Sequence, residues 1–218
     1  MAKIGVLLSG CGVFDGAEIH ESVLTLLALD RAGAEIVCMA PNIDQYHVIN
    51  HLTQEVMEEK RNVLVESARI ARGEIKDLKD VKSSDLDGLI IPGGFGAAKN
   101  LSDFAVKGPE ASVNPDVKRI IEDFVEAGKP VGALCIAPAT LTKALSDKKP
   151  EVTIGNDEAT ATAIEAMGGK HRTCAVDMIH FDDKNNIVTT PAYMLGPGIK
   201  EVAEGIRKLV DKVLELTG

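Results

Sequence analysis

Short runs of Val, Ile and Leu, each bounded by Gly or Pro and each followed by a longer segment of helical period, recur along this 218-residue chain. Strands so apolar cannot leave a face in water, so they must lie parallel in a sheet covered on both sides by helices. The fold class expected is therefore α/β and doubly wound, in one domain, since a single core can serve a chain of this length. The runs are Lys3 to Leu8, Glu35 to Ala40 stopped by Pro41, Leu86 to Pro92 ending in Gly93-Gly94, and Pro130 to Leu134. Between them, Ile19, Val23, Leu26, Leu27 and Ala28 share one face of a helix that Gly33 ends. Asn62 caps a helix running to Arg72, with Gly73 behind it, and Asn114-Pro115 opens another that Gly128 closes. A helix begins at Ala137-Pro138. Beyond it the pattern predicts a strand near Val152, a helix from Asp157 to Met167, two strands flanking the Asp182 to Asn186 turn, and a terminal helix from Gly198 to Leu216. The polar stretch from Pro41 to Lys60 has weak periodicity and reads as a loop or small insertion.

Composition narrows the function classes. Aromatic residues are 3% with no Trp, so Val, Ile, Leu and Ala must build the core. A net charge of -9 without a basic stripe argues against a nucleic-acid partner. The longest apolar runs fall far short of the ~20 residues that span a bilayer, so no membrane partner is expected. The amino terminus lacks the length and cleavage pattern of a secretory signal, which makes the cytoplasm the expected address. Four cysteines without a C-x-x-C pair and five histidines without H-x-x-x-H spacing predict neither a disulfide framework nor a metal site.

In such a sheet, reacting groups gather beyond the carboxyl ends of the strands. Three junctions stand there: Ser9 to Gly16, Pro92 to Gly96, and Cys135 to Pro138. Ala133-Leu134-Cys135-Ile136-Ala137 places a thiol between small residues where strand turns into helix, the layout of a nucleophile elbow. The positive end of the following helix is expected to favour the thiolate. A buried structural cysteine reads equally well from this junction alone. Glu21, one turn into the first helix, is at the same end of the sheet, where a carboxyl group kept neutral by burial would hydrogen-bond the sulfur; a solvated first-turn acid is the plainer reading. The backbone amides of Gly94 and Ile136 would point into the same crevice as an oxyanion hole, or form a tight turn without a ligand. Cys11, His20, Asn50, His51 and Asn100 are candidates for lining it. Gly10-x-Gly12-x-x-x-Gly16 loosely fits a dinucleotide fingerprint, but Asp15 and Glu18 put negative charge where a pyrophosphate would rest, so a plain turn is expected.

Read together, IGVLLSGCGVFDGAEIHE at the start, NHLT from Asn50, ARGEI from Ala71, PGGFGAAKNLSDFA from Pro92, CIAPA from Cys135, TIGND from Thr153 and TTPAYM from Thr189 resemble the enhancing lycopene biosynthesis protein family, also described as isoprenoid biosynthesis proteins with an amidotransferase-like domain. That family lies in the superfamily of the Parkinsonism-associated deglycase, the PfpI proteases and the class I glutamine amidotransferases. The resemblance runs almost end to end and implies one amidotransferase-like domain over residues 1–218. It implies a flavodoxin-like three-layer sandwich with a mostly parallel sheet, commonly a homodimer, with Cys135 as the elbow nucleophile and Glu21 as its carboxylic partner. It further implies a weak glyoxalase activity without metal or other cofactor, turning a small aldehyde, glyoxal, into glycolate. Ile136 stands where the protease branch has His, and no His-x-Glu follows the late strand, so peptidase and glutaminase activities are not expected. Two rival readings accompany the enzyme. One is a binding or redox-sensing regulator of isoprenoid or stress metabolism, with Cys135 as the sensor. The other is an NAD- or NADP-dependent oxidoreductase resting on the Gly10 to Gly16 turn.

Overall fold

The computed structural model describes all residues 1–218. In chain order the elements are β1 (Lys3–Leu7), α1 (Ile19–Arg31), β2 (Glu35–Ala40), β3 (Val48–Ile49), β4 (Val56–Met57), α2 (Val63–Ile70) and β5 (Ile75–Asp77). There follow β6 (Gly88–Ile91), α3 (Phe95–Lys99), α4 (Phe104–Lys107), α5 (Pro115–Glu126), β7 (Val131–Leu134) and α6 (Ala137–Ala144). The chain ends with β8 (Glu151–Val152), α7 (Glu158–Ala166), β9 (Lys170–His171), β10 (His180–Asp182), β11 (Ile187–Thr190) and α8 (Ile199–Glu215).

Seven strands form the central sheet in the order β10-β11-β7-β6-β1-β2-β5. Every pairing is parallel except β10 with β11, which the Asp182 to Asn186 turn joins as a hairpin. β6 and β7 are buried at every position, as the continuous apolar runs require. This is the flavodoxin-like α/β fold. On one face Leu89, Ile91 and Val131 pack under Ile120, Ile121 and Phe124 of α5. On the other, Val6, Ile90 and Val188 pack under α8, through Val202, Ile206, Leu209, Val210 and Val213. The helix starts follow local chemistry. Asn62 accepts from the Val65 N–H at 3.1 Å, Asn114 from Asp116 N–H at 3.0 Å, and Asp157 from Thr160 N–H at 2.8 Å. No helix is long and apolar enough to cross a membrane.

Three features depart from the sequence reading. The 41–60 stretch is not plain loop: β3 and β4 make a two-residue antiparallel hairpin. β5, α3 and α4 are too short to leave a periodic signal. The third departure is α1. Its apolar residues Ile19, Val23 and Leu27 face outward, while Glu21, Ser22, Thr25 and Leu29 are buried. Periodicity finds a stripe but not which way it points; here the polar side can turn inward because backbone groups receive it. Ser22 Oγ donates to the Glu18 carbonyl at 2.7 Å, and Glu21 is met by two N–H groups described below.

Candidate active site

At the carboxyl ends of β1, β6 and β7, three junctions close into one site. The loop after β1 is stitched to the loop after β6: Glu18 N–H donates to the Gly93 carbonyl (2.9 Å), Phe95 N–H to Val13 (2.7 Å) and Gly96 N–H to Gly16 (2.8 Å). Gly94 sits at φ 91°, a backbone region open mainly to glycine, and a Cβ there would collide with the backbone of Glu18 and Gly16. At the β7 end, Cys135 itself is left-handed, φ 58°, which a side chain resists. Its N–H donates to Thr190 at 3.0 Å, so β11 helps hold the strained turn. The elbow expected from ALCIA is therefore present.

Glu21 is fully buried and stands beside Cys135. Gly93 lies between the two, and a Cβ on it would strike both the Cys135 Cβ and the Glu21 carboxyl group. Gly93 N–H donates to Glu21 Oε2 at 2.9 Å and Tyr193 N–H to Oε1 at 3.2 Å. Burial pushes the Glu21 carboxyl up to about 7 against these two donors, with the Glu18 charge adding to the rise. A solvated first-turn acid is thereby ruled out. The Gly94 and Ile136 N–H groups, expected as an oxyanion hole, lie on the Cys135 side of the site and act to lower its thiol.

One expectation fails at this centre. The helix end was to keep the sulfur ionised, yet burial, and then the Glu21 charge, push the Cys135 thiol well up despite the two amides. Desolvation of a sulfur that is only 8% exposed outweighs a dipole from a helix of eight residues. At rest the pair is a thiol beside a carboxyl group that changes charge near neutrality, so a proton leaving sulfur has an acceptor at hand.

A cavity of about 440 Å³ opens onto the sulfur. Gly94, Cys135 and Ile136 line it, with Val13, Phe95, Phe104 and Met194 as apolar walls. Its polar lining is Glu18, Asp157, Thr160 and Tyr193. Sequence reasoning missed all of these walls. Phe95, Phe104, Asp157 and Tyr193 fall inside PGGFGAAKNLSDFA, TIGND and TTPAYM, a signal that was available; that these segments and Thr160 converge on one cavity only the fold determines.

The other candidate residues are distributed differently. His20 touches the rim indirectly, its Nδ1 2.8 Å from the Tyr193 hydroxyl. Cys11, Asn50, His51 and Asn100 do not line the cavity. Cys11 is half-buried, on the α2 side with Glu66 and Arg69 as charged neighbours, and burial raises its thiol. Asn50 Oδ1 accepts the N–H groups of Leu52 (2.9 Å) and Thr53 (3.3 Å), so it shapes its own turn. His51 Nε2 accepts from Phe14 N–H at 3.2 Å. Asn100 is buried, donates to the Ser9 and Asp15 carbonyls at 2.8 and 2.9 Å, and accepts from Tyr46 N–H at 2.9 Å. These last two residues fasten the 41–60 segment to the loop after β1. That loop is a closed turn, with Gly16 N–H on the Gly12 carbonyl at 2.7 Å and the Asp15 carboxylate accepting from Ile49 N–H at 2.7 Å.

Known proteins resemble this chain. A human relative, glutamine amidotransferase-like class 1 domain-containing protein 3, mitochondrial, is 48% identical over all of this chain and 84% of its own length. The rat ES1 protein homolog, mitochondrial, is 47% identical over all of this chain and 85% of its own. These names overturn the expected cytoplasmic address: a compartment is set by a targeting segment that takes no part in the fold, so residues that build the domain do not report it. Among solved structures, an isoprenoid biosynthesis protein with amidotransferase-like domain from Ehrlichia chaffeensis is 39% identical, with a TM-score of 0.94 and both chains fully covered. Oxidised DJ-1 from Toxoplasma gondii, 18% identical with a TM-score of 0.56 over 99% of this chain and 96% of that one, shares the fold. The model of the DJ-1/PfpI family matches residues 11–190, the span that carries the β1 loop, the Gly93-Gly94 turn and the Cys135 elbow, and the chain belongs to that family.

Proposed function

We propose that this chain is a glyoxalase-type enzyme that converts glyoxal, or a similar 2-oxoaldehyde, to glycolate or the matching 2-hydroxy acid, with Cys135 as nucleophile and Glu21 as proton carrier. The observation that carries the reading is a buried thiol on a left-handed elbow residue, beside a buried carboxyl group that burial pushes up to about 7. A general base works best when its pKa lies near the working pH. Family membership and the printed name of the Ehrlichia relative support placing it in the enhancing lycopene biosynthesis branch.

The steps balance without an outside oxidant. Cys135 Sγ bonds to one aldehyde carbon while its proton passes to Glu21 and on to the carbonyl oxygen, giving a hemithioacetal. The developing alkoxide is received by the Gly94 and Ile136 amides, whose residues line the cavity with Cys135. Glu21 then removes the proton from that carbon and returns one to the neighbouring carbon through an enediol, so the first carbon is oxidised to a thioester and the second reduced to an alcohol. Water cleaves the thioester, releasing the hydroxy acid and the thiol. Cys135→Ser is expected to bring glycolate formation from glyoxal, followed by chromatography, down to the uncatalysed level; turnover at the wild-type rate would overturn the mechanism.

A further inference from the structure

The cavity at Cys135 is larger and more apolar than a two-carbon dialdehyde requires. A cavity of about 440 Å³ falls within the range of roughly 300–1,000 Å³ typical of sites for larger small molecules, and glyoxal fills a small part of it. Its walls are apolar: Val13, Phe95, Ala98, Phe104, Ile136 and Met194. Phe95 lines this space yet is 45% exposed, an aromatic ring left in water at the mouth. Large rings stay exposed at a concave site where an apolar ligand covers them.

Charge points one way. The ionisable groups of the lining, apart from the thiol and the Tyr193 phenol, are the carboxylates of Glu18 and Asp157, with Glu21 behind the sulfur. Glu18 is buried and uses Oε2 to accept the Glu21 N–H at 2.7 Å; Asp157 is exposed at the rim. No Lys or Arg lines the cavity. Lys99, next to Ala98, is engaged elsewhere: its ammonium lies 3.1 Å from the Phe14 carbonyl, 3.2 Å from His47 Nε2 and 4.8 Å from the centre of the Phe95 ring. An anionic ligand would meet carboxylates and find no cation to replace its water. A phosphate or diphosphate ester would fare worst.

From this combination we infer that the cavity takes an uncharged or cationic carbonyl compound bearing an apolar alkyl or aryl body, set against Phe95 and Phe104, and turns away carboxylated and phosphorylated aldehydes. The inference rests on Cys135 as the reacting group proposed above, and it names what that group is offered.

Alkylation of Cys135 tests the substrate class without any turnover. The probes are iodoacetamide, iodoacetate and N-benzyl iodoacetamide, followed at Cys135 by peptide mass spectrometry and each normalised to its rate with the uncharged thiol N-acetylcysteine amide. The benzyl probe is expected to react about 10-fold faster than iodoacetamide, from burial of its ring. Iodoacetate is expected to react about 10-fold slower than iodoacetamide, from the carboxylates. Phe95→Ala should reduce the benzyl preference, and Asp157→Asn, which preserves the helix cap, should narrow the penalty on iodoacetate. Equal normalised rates for the three probes would overturn the inference, as would a preference for iodoacetate. In parallel, kcat/KM should rise from glyoxal to phenylglyoxal and fall for a carboxylated aldehyde. The probe order without any hydroxy acid product would retain the inference and defeat the glyoxalase reading; product formation with the order lost would do the reverse.

Discussion

α1 and α8 lie side by side on one face of the sheet and bury opposite kinds of residue. α8 turns Val202, Ile206, Leu209, Val210 and Val213 to the strands and its charged residues to water, as an amphipathic helix should. α1 buries Glu21, Ser22 and Thr25 with Leu29, and leaves Ile19, Val23 and Leu27 exposed. α8 covers the core; α1 delivers a carboxyl group to the neighbourhood of a sulfur. A buried acid is tolerable where donors receive it, and Gly93 and Tyr193 supply them. Stability is thus concentrated in α8 and chemistry in α1, and substitutions can test that division.

The largest effect is expected in α8. Leu209→Ala should lower unfolding stability by about 2–5 kcal/mol in denaturant titrations, the range for emptying a buried Leu site. It should leave the alkylation rate of Cys135 in the folded fraction unchanged; a matching loss of reactivity would mean that the two helices are not separable.

Next comes the pH dependence that α1 imposes. Glu21 has a folded pKa raised from 4.5 to about 7. Its neutral form is the one the fold favours, so its contribution is fully present below about 4.5 and is lost as pH rises through about 7, on the order of 3 kcal/mol. Glu21→Gln should flatten that decline in stability measured between pH 4 and 8, and should also remove the rise in Cys135 alkylation near pH 7. A Gln variant that retains the wild-type slope would show that Glu21 is not the titrating group.

Gly94→Ala is expected to cost about 1–3 kcal/mol, since φ 91° and the Glu18 and Gly16 backbones leave no room for a methyl group. Its alkylation rate should fall as well, because the Gly94 backbone acts to lower the Cys135 thiol. The smallest effect belongs to the outer face of α1: Val23→Ser should change thermal stability by no more than about 0.5 kcal/mol. A larger destabilisation would place Val23 in an environment drier than this face provides.

Part of the site was legible in linear form. The small-x-Cys-x-small junction singled out Cys135 as a candidate beside an equally good reading as a structural cysteine, while for Gly94 and Glu21 the local sequence favoured a plain turn and a solvated acid. Asn50, His51 and Asn100 were legible as unusual residues but not by role, because an amide that fastens two loops and one that contacts a ligand look alike in sequence. The convergence of the cavity walls was not legible, since Phe104 and Asp157 come to one cavity from segments distant in the chain.

By itself the sequence determined the α/β class, the strand and helix succession, the caps and the elbow, because each depends on residues within a few positions of one another. Tertiary structure alone decided which face of α1 is buried, that Glu21 touches Cys135, and that burial raises the thiol instead of ionising it. Those outcomes depend on desolvation and on partners far apart along the chain, and both exist only once the strands have brought their ends together.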